Sequence, residues 1–275
     1  MQTLLLSHSS RQTWQQCHKK WYWQVIERLE PKGYYEPFHR GTLGHQLLDQ
    51  WARDKRIGDT LVEEAYKQEL PLLGDALQHY FLTYIREPIK YLGFSEAINE
   101  DLGVIISTSG KMKVHAFFVG ELDAYVEFEG KEWVLETKFT TQVPSDLVGR
   151  FQLDDQVRGY TWAKRRKGLH PVGALVNIVR TTKNPYVVRD FVPLDQSELD
   201  RWHREMMQVA QEITDALEEN RFPLSPHSCF NYGTCPMRVL CLNPDRVMFV
   251  DHPTSEFHRK EKLHEEEVIE RVNRN

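Results

Sequence analysis

The stretch Gly120–Thr140, GELDAYVEFEGKEWVLETKFT, constrains this chain more than any other. Residues 117–128 and 132–139 alternate polar and apolar side chains around a Glu129-Gly130 step. That pattern predicts two antiparallel strands joined by a tight turn. With Glu129 and Gly130 as the two turn residues, Phe128 pairs with Lys131, and counting outward sets Asp123 directly opposite Glu136. Directly opposed side chains have Cβ atoms about 4.5–5.5 Å apart, so these two carboxylates could share one divalent cation. Lys138, two residues past Glu136, points to the same face. Two carboxylates and an amine on one face predict a metal-dependent hydrolytic site.

The rest of the chain sets limits on that reading. At 275 residues, with 40% hydrophobic and 27% charged side chains, it is ordinary for a globular protein with a buried core. No apolar run approaches the roughly 20 residues of a membrane-spanning helix, and Leu4–Leu6 is too short for a signal-peptide core, so a cytoplasmic protein with no membrane partner is expected. A net charge of −5 argues against coating nucleic acid through bulk charge but leaves room for a local basic groove. The four cysteines, at 17, 229, 235 and 241, suit metal or cluster ligation better than two disulfides in a reducing compartment.

Along the chain, SHSSRQTWQQCHKKWYWQVIERLEP reads as a capped helix containing Cys17, with Ser7, Ser9 or Ser10 as N-cap and Trp14, Trp21 and Tyr22 as core. A turn-rich link follows at 33–38. A second helix runs from about 41 to 52, with Leu43, Leu47, Leu48 and Trp51 on one face and His45 and Asp49 on another. Residues 60–92 read as largely helical. Strands are expected at 102–108 and 112–119, forming a meander with the hairpin, then a helix over 145–163 carrying Gln156 and Tyr160. The cations Lys164–Lys167 at its end read either as a helix cap or as a phosphate-contacting patch. Strands at 172–179 and 186–192, an amphipathic helix over 197–219 and, from about 255, a charge-dense frayed tail or isolated helix complete the reading. The order suggests one mixed α/β domain with helical additions at both ends.

Taken together, these motifs resemble the PD-(D/E)XK nuclease superfamily, and within it the RecB-like branch that includes CRISPR-associated RecB-like exonucleases and the AddB nuclease domain. The serine-rich start with Cys17, Gly41-Thr42-Leu43-Gly44-His45 with Asp49, Asp123, Glu136-Thr137-Lys138, Gln156-Val157-Arg158-Gly159-Tyr160 and the three late cysteines occur in the family's order over about residues 7–245. The resemblance implies a restriction-endonuclease-like core, a mixed central sheet flanked by helices, at about 95–195. It implies cluster-binding ends at about 7–30 and 222–245, a single nuclease domain over 1–254, and a charged tail over 255–275.

It also implies metal-dependent exonuclease action on single-stranded DNA or duplex ends, in recombination, repair, or phage or CRISPR DNA processing. Mg²⁺ or Mn²⁺ would be held by Asp123, Glu136, the Thr137 carbonyl and the His45 ring, and an imidazole ligand suits Mn²⁺ at least as well as Mg²⁺. Lys138 would orient the attacking water or neutralise charge on the phosphate, and Gln156 and Tyr160 would position substrate or the metal shell. Cys17, Cys229, Cys235 and Cys241 would bind a 4Fe-4S cluster, with His227 a substitute candidate. The C-x5-C-x5-C spacing lacks the short knuckles usual for zinc. A catalytically idle DNA-binding or complex-assembly subunit is the competing reading. A homo-oligomer or a recombination complex is left open as a partner.

Overall fold

The computed structural model describes residues 1–33, 36–231, 233–250, 252 and 254–274. In chain order the elements are β1 (Gln2–Leu6), α1 (His8–Gln16), α2 (His18–Trp21), β2 (Leu29–Pro31), α3 (Glu36–Arg53), α4 (Gly58–Lys67), α5 (Pro71–Tyr84), β3 (Lys90–Ile106), β4 (Lys113–Phe128) and β5 (Lys131–Thr140). There follow α6 (Leu147–Gln152), α7 (Asp155–Arg166), β6 (Gly173–Arg180), β7 (Tyr186–Pro193), α8 (Gln196–Glu219), α9 (Arg238–Leu242), β8 (Phe257–Arg259) and α10 (His264–Arg274). They cluster into two compact units, the first built from Met1–Gly33, Ala97–Gly120 and His203–Asn275, the second from Tyr34–Glu96 and Glu121–Trp202.

The second unit is a mixed sheet flanked by helices, the α/β architecture expected. Its strand order is β4-β5-β6-β7. β4 and β5 are antiparallel, β5 and β6 parallel, and β6 and β7 antiparallel. β6 is buried from Gly173 to Val179, as a central strand covered on both faces must be. α3, α4 and α5 supply Leu47, Trp51, Leu61, Leu73, Leu77 and Phe81 to a cluster that also takes Val179 and Val187 from the sheet. The β4–β5 turn is the two-residue one the sequence predicts: Phe128 pairs with Lys131, and Glu129 and Gly130 have φ of 52° and 72°. Both central residues of a type I′ hairpin turn need positive φ.

In the first unit, β1 runs parallel to the start of β4, from Gln2↔Val114 to Leu6↔Phe118, and β2 pairs with β8. Ser7 caps α1, its hydroxyl accepting from the Ser10 N–H at 3.0 Å. The opening helix is not continuous, however. Cys17 adopts an extended conformation (φ −166°, ψ 113°) that separates α1 from α2, and Tyr22–Ile26 then forms a π-helical turn. Periodicity does not register a one-residue break, because the apolar stripe resumes at Trp21.

Other differences have local causes. The helix expected over 145–163 divides at Asp154, whose side chain accepts from the Gln156 and Val157 N–H groups and starts α7 afresh. The strand pair expected at 112–119 and 117–128 is one long strand, and β3 already begins at Lys90, within the stretch read as helical. Of the link at 33–38, Tyr34 and Tyr35 lie outside the described residues, and α3 begins at Glu36. Of the two readings of the charged C-terminal stretch the helix is the one that forms, as α10, but it is packed rather than isolated: Val268 is buried, and Glu265 accepts from the Ser7 hydroxyl at 2.5 Å. Among the described residues no helix is long and apolar enough to cross a membrane.

Candidate active site

Asp123 lies one residue beyond the last paired position of the hairpin, Ala124↔Leu135. Its carboxylate is held from two directions. Oδ2 accepts the Thr137 N–H at 2.7 Å, and Oδ1 faces His45 Nδ1 at 3.0 Å. His45 is delivered by α3, which approaches β5 closely at Gly44. A Cβ there would meet the Phe139 ring at 2.5 Å, and the His45 ring stands edge-on to the same phenyl, 5.4 Å between centroids. Asp49, four residues on, does not join this group. It pairs with Arg53 at 3.0 Å and accepts from Ser95.

On β5, Glu136 is only 1% exposed. Its Oε1 lies 2.8 Å from Lys138 Nζ, whereas Oε2 is buried without a hydrogen-bond partner among the described residues. Lys138 also donates to Gln156 Oε1, and Gln156 Nε2 donates to the Tyr160 hydroxyl at 3.3 Å. That hydroxyl also accepts the Glu121 N–H at 3.1 Å. α7 thus presents Gln156 and Tyr160 at the i, i+4 spacing that puts them on one face. All seven residues expected from sequence, His45, Asp123, Glu136, Thr137, Lys138, Gln156 and Tyr160, form one connected set in the second unit.

The electrostatics follow from burial of charge. Desolvation pushes the Glu136 carboxyl up to about 7; Lys138 and His45 pull against that shift, and Asp123 adds to it. Burial works against a charged His45 ring, but the Asp123 charge and hydrogen bond, with Glu136, raise its pKa on balance. Burial opposes the Lys138 charge too, and Glu136, Asp154 and Asp123 outweigh it and raise its pKa. An acceptor-rich pair of carboxylates, one with an orphaned buried oxygen, is a donor set that fits a divalent cation. Among the described residues, no three His, Cys, Asp or Glu side chains are already drawn together tightly enough to enclose an ion.

Two solved structures are similar to this chain to different degrees. One, from Eubacterium rectale and named "Putative exonuclease", superimposes with a TM-score of 0.50 at 11% identity, over 87% of this chain and 92% of its own. At that identity the likeness speaks for the fold alone. The other, SSO0001, has a TM-score of 0.32 at 11% identity over 76% of this chain and 78% of its own, and carries no argument. No curated protein matches the chain. The family model of the PD-(D/E)XK nuclease superfamily matches residues 5–242. The chain belongs to the PD-(D/E)XK nuclease superfamily.

A PD-(D/E)XK protein is a hydrolytic nuclease, and the carboxylates and lysine that the hairpin sets together are the residue types that phosphodiester hydrolysis needs. The nuclease carries its four cysteines in the first unit, away in sequence from those groups. All four are free thiols. The Ser228 hydroxyl donates to the Gln16 carbonyl at 2.7 Å and Lys19 N–H to the Pro223 carbonyl at 3.2 Å, tying the late segment to the chain on both sides of Cys17. Cys235 N–H donates to the Cys229 carbonyl at 2.8 Å, and Trp23 Nε1 donates to Cys241 Sγ at 3.3 Å. Burial raises the Cys241 thiol first, Trp23 offsets part of that, and Cys17, Cys235 and Cys229 raise it further. Cys241 is therefore within electrostatic reach of the other three thiols. His227 is exposed, and Tyr232 lies outside the described residues.

Two cations of the basic run at the end of α7 are engaged within the chain rather than solvated. Lys164 is buried and pairs with Glu96, and Arg165 donates to the carbonyls of Pro171 at 2.9 Å and Leu194 at 2.7 Å. What sequence reading missed is Asn177, a fully buried amide bonded to Thr137 Oγ1 at 3.0 Å. Its signal was present as the one polar side chain in the apolar run Ala174–Val179.

Proposed function

We propose that the protein is a divalent-metal-dependent DNA exonuclease of the RecB-like kind, acting on single-stranded DNA or duplex ends in recombination, repair, or phage or CRISPR DNA processing. The observation that carries this reading is Glu136, a buried carboxylate with one oxygen on Lys138 and the other left without a partner beside Asp123. Asp123, Glu136, the His45 ring and the Thr137 carbonyl would hold the ion. When bound, Mg²⁺ or Mn²⁺ supplies Lewis-acid stabilisation of the scissile phosphate and acidifies the attacking water.

The chain's own groups do the rest. Lys138, kept charged by Glu136, places an ammonium where negative charge grows on the phosphate during attack. Gln156 fixes the direction of that ammonium through its amide oxygen, and Tyr160 fixes Gln156 in turn. His45 orients Asp123 from one side while the Thr137 N–H holds it from the other. Cys17, Cys229, Cys235 and Cys241 supply the donor chemistry of a 4Fe-4S cluster that would pin the late segment to the first helices, a structural role.

The test is degradation of labelled single- and double-stranded DNA with Mn²⁺ or Mg²⁺, comparing wild type with Asp123→Ala and Lys138→Ala. Loss by three or more orders of magnitude in both variants is expected for groups acting at the reacting phosphate. Equal degradation by all three proteins would sink the assignment. DNA binding without cleavage by wild type would favour an idle subunit.

A further inference from the structure

β6 is apolar from Ala174 to Val179 except at Asn177, which is fully buried. Register places Asn177 beside Thr137 on one side and Arg189 on the other. Its Nδ2 donates to Thr137 Oγ1 at 3.0 Å and to the Tyr80 hydroxyl at 3.1 Å, and its Oδ1 accepts Arg189 Nε at 2.5 Å. Arg189 then donates through Nη2 to the Tyr80 hydroxyl at 2.8 Å and through Nη1 to Glu87, with its guanidinium 4.0 Å from the Tyr84 ring centre. A polar row therefore crosses three strands and ends in a largely buried ion pair, Arg189 enclosed and Glu87 partly exposed.

Stability alone is a poor reason for such a row. Buried ion pairs recover little more than their desolvation cost, and apolar residues of the same size serve a core as well. What the row reaches is Thr137, whose N–H holds Asp123 Oδ2 at 2.7 Å. Strand alternation puts the Thr137 side chain on the face opposite Glu136 and Lys138, so the row can grip this residue from behind without entering the site.

We propose that Glu87, Arg189 and Asn177 form a positioning relay that fixes the Thr137 peptide, and through it the Asp123 carboxylate, in the arrangement that binds the metal ion. The proposal rests on the metal-dependent reading above and deepens it. Groups that orient metal ligands typically contribute about 10–100-fold to metal affinity. Thr137→Val keeps the shape and removes the hydroxyl; Thr137→Ser keeps the hydroxyl.

The experiment titrates Mn²⁺ into the metal-free full-length protein by calorimetry, with thermal melts to verify folding, and measures nuclease rate against Mn²⁺ concentration. Thr137→Val should raise the Mn²⁺ dissociation constant about tenfold, with kcat at saturating Mn²⁺ largely restored, while Thr137→Ser stays within about threefold of wild type. Tyr80→Phe, which removes only the side branch, should lower Tm and leave Mn²⁺ affinity within about threefold. If Thr137→Val fails to fold, Arg189→Lys carries the test through loss of the Nε contact, with weaker Mn²⁺ binding expected and wild-type binding overturning the relay. Wild-type affinity in Thr137→Val, or equal loss in Thr137→Ser, overturns it while Asp123→Ala abolishes binding. If Asp123→Ala itself binds Mn²⁺ like wild type, the metal reading fails and the relay with it.

Discussion

Lys138 Nζ lies 2.8 Å from Glu136 Oε1, and the other oxygen of that carboxylate is buried without a partner. The lysine is thus the main compensation for a charge that burial strongly opposes. Removing one member of a fully buried pair usually costs about 3–5 kcal/mol, because the remaining charge is left uncompensated; here Glu136 is buried but the Lys138 side chain is 32% exposed, so the cost falls below that range. Lys138→Met should lower the Tm of the metal-free protein by several degrees near neutral pH and above, and should lower it less in acid, where Glu136 is protonated. Melts of the variant and wild type at about pH 5 and about pH 8 check this. A pH-independent difference would show that the pair does not set the local energetics.

The same carboxylate gives metal-free wild type a pH-dependent stability. The Glu136 pKa is 4.5 as a model group and is pushed up to about 7 in the fold. A group whose folded pKa is raised contributes stability that is complete below the unfolded value and lost as pH rises through the folded one. His45, raised above 6.5, acts in the same direction. Tm should therefore fall between about pH 5 and about pH 8, and saturating Mn²⁺ should flatten the fall because a bound cation favours the ionised carboxylate. A metal-free Tm that rises across this window would contradict the burial of Glu136.

Much of this site was legible because its signals are local. Alternation and the Glu129-Gly130 step set the register of β4 and β5, and a one-residue error would have sent Glu136 to the other face. The i, i+4 spacing of Gln156 and Tyr160 needed only a helix, and α7 supplies one. Less visible were features decided across the chain. Asn177 went unremarked inside the apolar run of β6, because its partner Arg189 is brought beside it only by β7. The start of α10 read as part of a frayed tail or an isolated helix, because nothing near Glu265 in sequence announces Ser7 as its partner. The break at Cys17 is one extended residue between two helical segments, too short for any periodicity to register.

Gly44 is a second position where packing sets chemistry. A Cβ on it would approach Phe139 to 2.5 Å, well inside contact distance, so α3 must withdraw or the ring must turn. Overpacking of this kind costs about 1–3 kcal/mol, and here the strain falls next to His45. Gly44→Ala should weaken Mn²⁺ binding several-fold, and Phe139→Leu in the same chain should recover part of it by making room. Calorimetric titration of the two single variants and the double variant measures the coupling. Strict additivity would show that Gly44 and Phe139 do not position His45.

The cysteine segment offers a test separate from nuclease activity. Burial raises the Cys229 and Cys241 thiols, the neighbouring cysteines raise them further, and Trp23 donates to Cys241 Sγ at 3.3 Å. In a cluster with four thiolate ligands, hydrogen bonds to sulfur help set the reduction potential, whereas loss of a ligand releases iron. Anaerobically purified protein should be brown. Cys17→Ser should lower iron content and Tm together, because Cys17 sits between the two hydrogen bonds that join the late segment to the first helices. Trp23→Phe should retain its iron and move the potential to a lower value, since removing a donor to sulfur disfavours the more negative, reduced state. A colourless wild-type protein carrying stoichiometric zinc would overturn the cluster, and unchanged iron in Cys17→Ser would remove that residue from the ligand set.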